Sequence, residues 1–285
     1  MKNVISFSGG RTSAYLCHLA KQHIDNPCFI FMDTGAEHPK TYEFIRSMVR
    51  NWSIPLVCLR VDINPELGQA NSYTEISIDQ IGPDLKPWES MLSKYGTPYN
   101  PGGAFCTDRM KLVPYTKYCN EHFGKGNYIT WLGIRADEPR RLNYDKANFK
   151  YLADISDFDK QDVLDWWKSQ DFNLEIEEHL GNCVFCIKKG ANKIALAIND
   201  EPALAQRFQN LITSDKVRDV EIRKSASEIM YRNHLSFQSI TDAYKNTTRE
   251  EILSTIRGNK SLDSGNCSES CEVFSPEGQL SFEYN

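Results

Sequence analysis

Short apolar segments alternate with amphipathic segments over the first part of the chain. Residues 3–7 predict a strand, and a glycine-containing turn after them leads into a helix with one apolar face. Cys28–Met32 predicts a second strand, Pro39 opens a second amphipathic helix, and residues 55–61 predict a third strand. Because strands that alternate with helices are joined by right-handed crossovers, this pattern predicts a parallel sheet covered on both faces.

The periodicity weakens between residues 62 and 105, where proline and glycine recur, and we interpret this segment as an insertion or a lid. Further on, Val113–Phe123 predicts a helix, residues 128–134 an apolar strand, and residues 160–170 another helix. These elements complete the predicted core.

Beyond Gly190 the pattern is mainly helical, for example over residues 225–235, and the chain ends in a polar tail that contains Cys267 and Cys271. We therefore expect two parts. Residues 1–190 form an α/β domain with a doubly wound, mostly parallel sheet, and residues 191–285 form a mainly helical C-terminal extension.

Composition narrows the function classes. The 285 residues are 40% hydrophobic and 25% charged, as in ordinary globular proteins, and no apolar stretch is long enough to cross a membrane, so we expect a cytoplasmic protein. The net charge of −5 does not favour nucleic acid as a partner, although a local basic patch such as residues 111–125 keeps it open. Nine cysteines in such a chain suggest metal or redox chemistry before disulfides.

A glycine loop follows the first predicted strand, with the residues Ser8, Gly9, Gly10, Arg11, Thr12 and Ser13. Glycine lets the chain turn tightly, and the N–H groups and dipole of the helix that follows attract an anion. The serine hydroxyls can donate hydrogen bonds, and Arg11 adds positive charge if it points inward. The alternative is an ordinary glycine turn.

Four motifs occur along the chain in a characteristic order: Ser8-Gly9-Gly10-x-x-Ser13, Phe31-Met32-Asp33-Thr34-Gly35 with Pro39 and Thr41-Tyr42, Leu132-Gly133-Ile134-Arg135 with Glu138 and Arg140-Arg141, and Asp162-Val163 near Trp166. In this order they resemble the phosphoadenylyl-sulfate (PAPS) and adenylyl-sulfate (APS) reductase family of the PP-loop ATP pyrophosphatase superfamily. The resemblance covers roughly residues 1–190.

This resemblance implies an adenine nucleotide alpha hydrolase-like fold that binds ATP, APS or PAPS. It implies that the glycine loop holds phosphate and that Asp33, Thr34 and Gly35 lie near the adenosine. Nucleotide contacts are also implied for Gly133, Arg135 and Arg141, and catalytic roles for Cys106, Arg135 and Arg140. Arginine suits an oxyanion because its planar fork donates two parallel hydrogen bonds.

Plainer interpretations of some of these residues stay open. The Arg140-Arg141 pair would otherwise be interpreted as a solvated surface run, and Asp33 as an acid at a helix N-terminus. Thr12 departs from the superfamily pattern, which commonly has Asp at this position. That difference counts against ordinary adenylating chemistry.

The cysteines carry a second motif, Cys183-x-x-Cys186, with the spacing that lets two thiolates reach one metal centre. APS reductases hold a four-iron cluster with a Cys-Cys pair and a Cys-x-x-Cys, and this chain resembles that plan with Phe105 in place of the first cysteine of the pair. Cys106, Cys183 and Cys186 are thus implied as ligands of a [4Fe-4S] cluster, and Cys267 or Cys271 could supply the fourth. Zinc held by Cys183, Cys186, Cys267 and Cys271 is the alternative.

Three functions follow as hypotheses. The first is a PAPS reductase-like enzyme that transfers or reduces sulfur with cysteine or iron–sulfur chemistry, drawing on a thiol electron donor. The second is an ATP-dependent enzyme that installs sulfur in tRNA or DNA. The third is a non-catalytic nucleotide-binding or partner-binding protein, for which Thr12 is the best support. A homo-oligomer is compatible with each.

Overall fold

A six-stranded sheet forms the centre of the computed structural model, which describes residues 1–98, 105–220 and 229–258. The strands in chain order are β1 (Lys2–Phe7), β2 (Cys28–Met32), β3 (Leu56–Asp62), β4 (Ser72–Ile76), β5 (Tyr128–Leu132) and β6 (Phe149–Tyr151). Their order across the sheet is β4-β3-β2-β1-β5-β6, and every neighbouring pair is parallel except β3 and β4. The predicted α/β class and mostly parallel sheet are confirmed.

Ten helices accompany the sheet within the described ranges: α1 (Arg11–His23), α2 (Pro39–Trp52), α3 (Lys86–Tyr95), α4 (Phe105–Thr107), α5 (Val113–Phe123), α6 (Lys160–Lys168), α7 (Ala191–Asp200), α8 (Pro202–Ile212), α9 (Phe237–Ala243) and α10 (Arg249–Gly258). A π-helical turn, Asp108–Leu112, joins α4 to α5. None of the described helices combines the length and the apolar composition that crossing a bilayer requires.

Alternate residues of the central strands pack on opposite faces of the sheet, as the period of two in a strand requires. Ile5 and Phe7 of β1 belong to the core beneath α1, α2 and α6, whereas Val4 belongs to the core on the α5 side. Helices therefore cover both faces, which explains why the strands appear as continuous apolar segments in the sequence.

Segment 62–105 is more regular than we predicted. It supplies the edge strand β4, which pairs antiparallel with β3, and the helix α3, whose Trp88 and Met91 are buried. β4 was missed because its residues are mostly polar and its burial does not alternate along the strand. The described part of this segment is thus built into the fold.

The C-terminal helices share a hydrophobic core with earlier parts of the chain. Ile194 and Phe208 pack in the same cluster as Trp88 and Phe185. The boundary predicted near residue 190 remains a prediction. The helix predicted over 225–235 is wrong for the residues described there, because Tyr231 and Leu235 pair as a β-bridge around the 3-10 turn Arg232–His234.

The sheet order changes direction between β1 and β5. β1 is followed outward on one side by β2 and β3, whereas β5 lies on its other side. In open α/β sheets this switch point leaves a crevice at the carboxyl ends of the strands, where ligands bind. The glycine loop after β1 and the Gly133–Arg135 stretch after β5 both lie there.

Candidate active site

The glycine loop is shaped by its own serines. The Ser13 hydroxyl accepts a hydrogen bond from the Ser8 backbone N–H at 3.2 Å and donates to the Gly10 carbonyl at 3.0 Å. The two serine hydroxyls lie 2.8 Å apart. The N-cap residue Gly10 makes no side-chain hydrogen bond to α1, and the N-terminus of a helix presents backbone N–H groups that can donate to an anion.

Two glycines let chain segments approach closely here. Gly9 has φ +83°, and a Cβ on it would lie 3.0 Å from the Thr41 methyl group. A Cβ on Gly133 would lie 3.0 Å from the Cα of Ser13, a backbone atom that cannot move aside. The predicted importance of both glycines therefore has a steric basis, because each holds the loop against a neighbouring element.

A cavity opens in front of the loop, and we call it the nucleotide pocket. It is lined by Ser8, Gly9, Gly10, Arg11, Thr12, Thr41, Arg135, Lys160, Val163, Leu164, Leu174, Ile176, Glu177, Gly181 and Asn182. Three cationic side chains and one carboxylate face an otherwise apolar and backbone surface. This combination suits a nucleotide, which carries an apolar base and anionic phosphates.

Arg135 lies in this pocket, but it already has partners. Its guanidinium donates to the Asp137 carboxylate at 2.8 and 3.1 Å, lies 3.5 Å from Glu138, and donates to the Thr12 hydroxyl at 3.4 Å. Arg135 is 6% exposed, so its orientation is fixed before any ligand arrives. An Asp at the position of Thr12, as is common in the superfamily, would therefore give Arg135 a further carboxylate partner.

The other predicted arginines differ from Arg135 in their positions and partners. Arg11 donates to the Asn173 side chain at 2.9 Å and to the Leu174 carbonyl, so it fixes the wall of the nucleotide pocket. Arg141 pairs with Glu138, and Arg140 is exposed. Neither Arg140 nor Arg141 is among the described residues that line the pocket.

Thr41 is a contact that we did not assign from the sequence, although it belongs to a quoted motif. Its side chain is 3% exposed and lines the nucleotide pocket, and its hydroxyl has no hydrogen-bond partner in the described part of the chain. Buried hydroxyl groups are nearly always paired. A ligand oxygen in the pocket would satisfy this one.

Asp33 lies at the carboxyl end of β2 and away from the nucleotide pocket. It is fully buried and accepts hydrogen bonds from the Gly35 N–H, the Tyr42 hydroxyl and the Arg60 guanidinium, at 2.8, 3.0 and 2.8 Å. Burial first, and then the nearby Glu37, raise the pKa of Asp33 to about 6, although Arg60 opposes the shift. With its oxygens so engaged, Asp33 acts as a bracket between β2, α2 and β3.

Glu37 connects this bracket to the cysteine motif. It is 3% exposed and accepts hydrogen bonds from Tyr42 at 2.9 Å and from Thr34 at 2.9 and 3.0 Å. Glu37 and Cys183 also form a β-bridge, and the Cys183 sulfur lies 3.4 Å from the Thr34 hydroxyl. The predicted adenosine residue Thr34 therefore lies beside a cysteine.

Cys106, Cys183 and Cys186 line one cavity together, which we call the cysteine pocket; its other lining residues are Thr34, Trp88, Thr107, Met110, Lys111, Asn182, Ile187 and Lys188. The cysteine motif and Cys106 are more than 70 positions apart in the sequence, yet the fold brings them to one place. The tail residues Cys267 and Cys271 lie outside the described residues, so their predicted roles stay predictions.

Two thiols of this pocket, those of Cys183 and Cys106, have raised pKa values that favour the neutral form. Burial, with Glu37 adding to it, raises the pKa of Cys183 to about 12. Burial also raises the pKa of Cys106, and Lys111 and Lys188 oppose that shift. For Lys111, burial opposes the charge, but the thiols and Glu37 around it raise its pKa. Loss of a thiol proton would give Lys111 an anionic partner, and a bound metal would favour that loss.

The π-helical turn explains why Lys111 was missed. Its closing hydrogen bond runs from the Val113 N–H to the Asp108 carbonyl, five residues back. Cys106 and Lys111 are also five residues apart, a spacing that an α-helical pattern does not place side by side. Only the wider π turn puts both on the wall of the cysteine pocket.

Lys189 stabilises the turn of the Cys183-x-x-Cys186 motif. Lys189 is 5% exposed, and its ammonium donates to the carbonyls of His179, Cys183 and Val184 at 2.8, 3.0 and 2.9 Å. Asn182, in the left-handed conformation with φ 56°, lines both the nucleotide pocket and the cysteine pocket. The two pockets are therefore adjacent, with Asn182 in the wall between them.

One group in the described residues has ligand atoms within 4.8 Å of one another, namely Glu177, His179 and Asp200. We did not predict it, because its members come from separate elements. Arg249 donates to Asp200 at 2.8 and 3.0 Å and also pairs with Glu177. The guanidinium therefore supplies the positive charge at this position and attaches α10 to α7.

Comparison with known proteins agrees with this geometry. A family model described as the phosphoadenosine phosphosulfate reductase domain matches residues 2–151. The chain is also 53% identical over 290 residues to the uncharacterized nin region protein ORF290 of Escherichia phage lambda, with 100% of this chain and 98% of that protein covered. The matched domain contains all six strands, the glycine loop and Arg135. The chain belongs to the phosphoadenosine phosphosulfate reductase domain family, which binds adenine nucleotides.

Proposed function

We propose that this protein is an enzyme that binds PAPS, APS or ATP in the nucleotide pocket and transfers or reduces sulfur at the cysteine pocket. The observation that supports the proposal is the shared wall at Asn182, where the pocket of the glycine loop adjoins the pocket of three cysteines. A nucleotide whose phosphate lies at the loop can then extend its terminal group towards the thiols.

The loop and Arg135 would orient the ligand. The N–H groups of the first turn of α1 donate to phosphate oxygens, and Thr41 contributes its unpartnered hydroxyl. Because Asp137 already holds the Arg135 guanidinium in place, little side-chain freedom is lost when a ligand binds.

Reduction of a sulfated nucleotide requires two electrons, which two thiols can supply. A thiolate attacks the sulfur of the sulfate group, and the bond from sulfur to the phosphate oxygen breaks, which releases the adenosine phosphate. A second thiol then attacks the cysteine sulfur of this adduct and releases sulfite. The two thiols end as a disulfide, which a thiol donor reduces, and their two protons are released to solvent.

Cys183 and Cys106 need activation for this reaction, because their raised pKa values favour the protonated thiol. Lys111 stabilises a thiolate once it forms. The residues also fit an iron–sulfur cluster, for which Cys106, Cys183 and Cys186 would be the ligands and Lys111 a charge partner. Such a cluster supplies electron transfer or an open iron site for sulfur. A single zinc ion held by Cys106, Cys183 and Cys186 fits less well, because the three sulfurs do not all lie within 4.8 Å of one another. The zinc site predicted with Cys267 and Cys271 includes residues outside the described ranges and stays a prediction.

The test uses protein purified without oxygen. We would measure iron, zinc, the visible absorption spectrum and turnover of PAPS, APS and ATP for the wild type and the Cys183→Ser/Cys186→Ser double variant. Cys28→Ser is the control, because Cys28 is half-buried on β2 and lines neither pocket. We expect turnover, and any iron band, to be lost in the double variant alone. Nucleotide binding without turnover in every protein would instead favour a non-catalytic binding protein.

A further inference from the structure

Trp88 carries a hydrogen-bond donor that the fold leaves without a partner. The side chain is 2% exposed, and its indole N–H has no acceptor among the described residues. The other two tryptophans that are buried there are both paired: Trp131 donates to Asn3 and Trp167 to the Arg11 carbonyl, each at 3.0 Å. Because buried donors are nearly always satisfied, the exception at Trp88 calls for a cause.

The position of Trp88 indicates where an acceptor for its indole N–H would bind. It lines the cysteine pocket together with Cys106, Cys183 and Cys186. It also lines the apolar cavity behind this pocket, between α3 and α8. Its ring packs edge-on against Phe208 with centroids 5.8 Å apart, so the indole is held in place by the core.

The surroundings define the chemistry of the missing acceptor. An indole N–H only donates, so the partner must offer a lone pair. Lys111 and Lys188 line the same pocket, and their positive charges favour an anion over a neutral acceptor. Thr34, which also lines it, is already engaged with Glu37 and Cys183. An anionic sulfur-containing group held against the cysteines meets these conditions.

We propose that the Trp88 indole N–H donates a hydrogen bond to an anionic sulfur group bound in the cysteine pocket and so positions it. This inference rests on the proposed function for the identity of the group. Two sources share the chemistry: a sulfur oxyanion released from a nucleotide, and the sulfide of an iron–sulfur cluster. A donor to the first strengthens its binding, and a donor to the second raises its reduction potential.

The experiment compares Trp88→Phe with the wild type. Phenylalanine keeps an aromatic ring in the core and removes the N–H. The control is Trp131→Phe, which removes an N–H that is already paired with Asn3 and lies in neither pocket. Binding of inorganic sulfite is measured by calorimetry without nucleotide. The midpoint potential is measured for any protein that carries iron.

We expect Trp88→Phe to bind sulfite about tenfold more weakly, as for loss of a hydrogen bond to a charged group. If iron is present, its midpoint potential falls instead, which identifies the cluster as the acceptor. Trp131→Phe should change neither quantity. The inference is overturned if Trp88→Phe matches the wild type in both, or if the wild type neither binds sulfite nor carries a cluster. If the wild type does not turn over PAPS, APS or ATP but binds sulfite in a Trp88-dependent manner, the proposed function is contradicted and the inference about Trp88 is supported.

Discussion

The nucleotide pocket and the cysteine pocket lie side by side at the carboxyl ends of the strands, but they are built differently. The first is centred on a continuous loop, Ser8 to Ser13, and on backbone N–H groups. The second is assembled from α3, the turn after α4 and the segment after residue 181. Binding a phosphate needs only local backbone geometry, whereas assembling reactive thiols depends on the whole fold.

Their electrostatics differ as well. In the nucleotide pocket, Arg135 is paired with carboxylates and remains charged before any ligand binds. In the cysteine pocket, burial raises the pKa of Cys183 and Cys106 and favours their neutral form beside Lys111. The first pocket is thus prepared for an anion by a paired arginine, whereas in the second the cations Lys111 and Lys188 lie beside thiols that become negative only when a proton leaves or a metal binds.

The largest effect on this comparison should come from Gly133→Ala. The new Cβ would lie 3.0 Å from the Cα of Ser13 and would push the start of α1 out of place. We expect the affinity for adenine nucleotides, measured by calorimetry, to fall about 100-fold while sulfite binding at the cysteine pocket is retained. Gly82→Ala is the control, because nothing lies within 4 Å of its Cβ position. Equal affinities in the two variants would refute the close-packing role of Gly133.

Arg135→Ala should have the next largest effect. It removes a cation from the nucleotide pocket and takes from Asp137 the guanidinium that pairs with it, whereas Glu138 keeps its pairing with Arg141. Nucleotide affinity should fall about tenfold. Arg140→Ala, at an exposed position of the same segment, should change the affinity less than about twofold. A larger loss in Arg140→Ala would mean that Arg140 reaches the ligand, as the family resemblance implies.

Thr41→Val tests whether an unpartnered buried group marks the nucleotide pocket. The substitution keeps the shape and removes a hydroxyl that has no described partner. We expect the free energy of unfolding without ligand to be unchanged or slightly higher, and nucleotide affinity to fall about fivefold. Denaturant titration and calorimetry measure the two quantities. A variant that loses stability without losing affinity would show that the hydroxyl has a protein partner instead.

The smallest effect concerns Asp33, the bracket between β2, α2 and β3. Because the pKa of Asp33 is raised to about 6, the folded state holds a proton that the unfolded chain releases at lower pH. The contribution of Asp33 to stability therefore falls as pH rises from about 4 to about 6. In Asp33→Asn, the slope of the unfolding free energy against pH should become more positive in this window. The exposed substitution Asp62→Asn should leave the slope unchanged, and equal slopes in all three proteins would rule out the raised pKa.

The sequence predicted those parts of the molecule that depend on neighbouring residues. The first three strands, their helices and the glycine loop follow from local periodicity and the two glycines. The direction of Arg11 does not, because its partners Asn173 and Leu174 are about 160 positions away. The role of Lys111 also escaped prediction, because it depends on a π-helical turn that no α-helical pattern reveals.

Local sequence patterns also failed for the strands β4 and β6 and for the segment 225–235. β4 and β6 join the sheet by pairing with β3 and β5, and their short segments carry little apolar periodicity of their own. In the described part of 225–235, the predicted helix is replaced by a local β-bridge between Tyr231 and Leu235, and the Tyr231 hydroxyl donates to the distant Phe185 carbonyl. Long-range pairing decided the two strands, and a local turn replaced the helix.

The most direct test of the two-pocket arrangement is differential alkylation of the cysteines with and without nucleotide. Cys106 and Cys186 are half-buried in the cysteine pocket, and the half-buried Cys28 lies in neither pocket. Mass spectrometry would follow each site under saturating APS, PAPS or AMP. We expect the two sulfated nucleotides to slow alkylation of Cys106 and Cys186 while AMP does not, and Cys28 to react at the same rate throughout. If bound APS or PAPS leaves the alkylation rate of each of the three cysteines unchanged, the placement of the sulfate beside the thiols is contradicted.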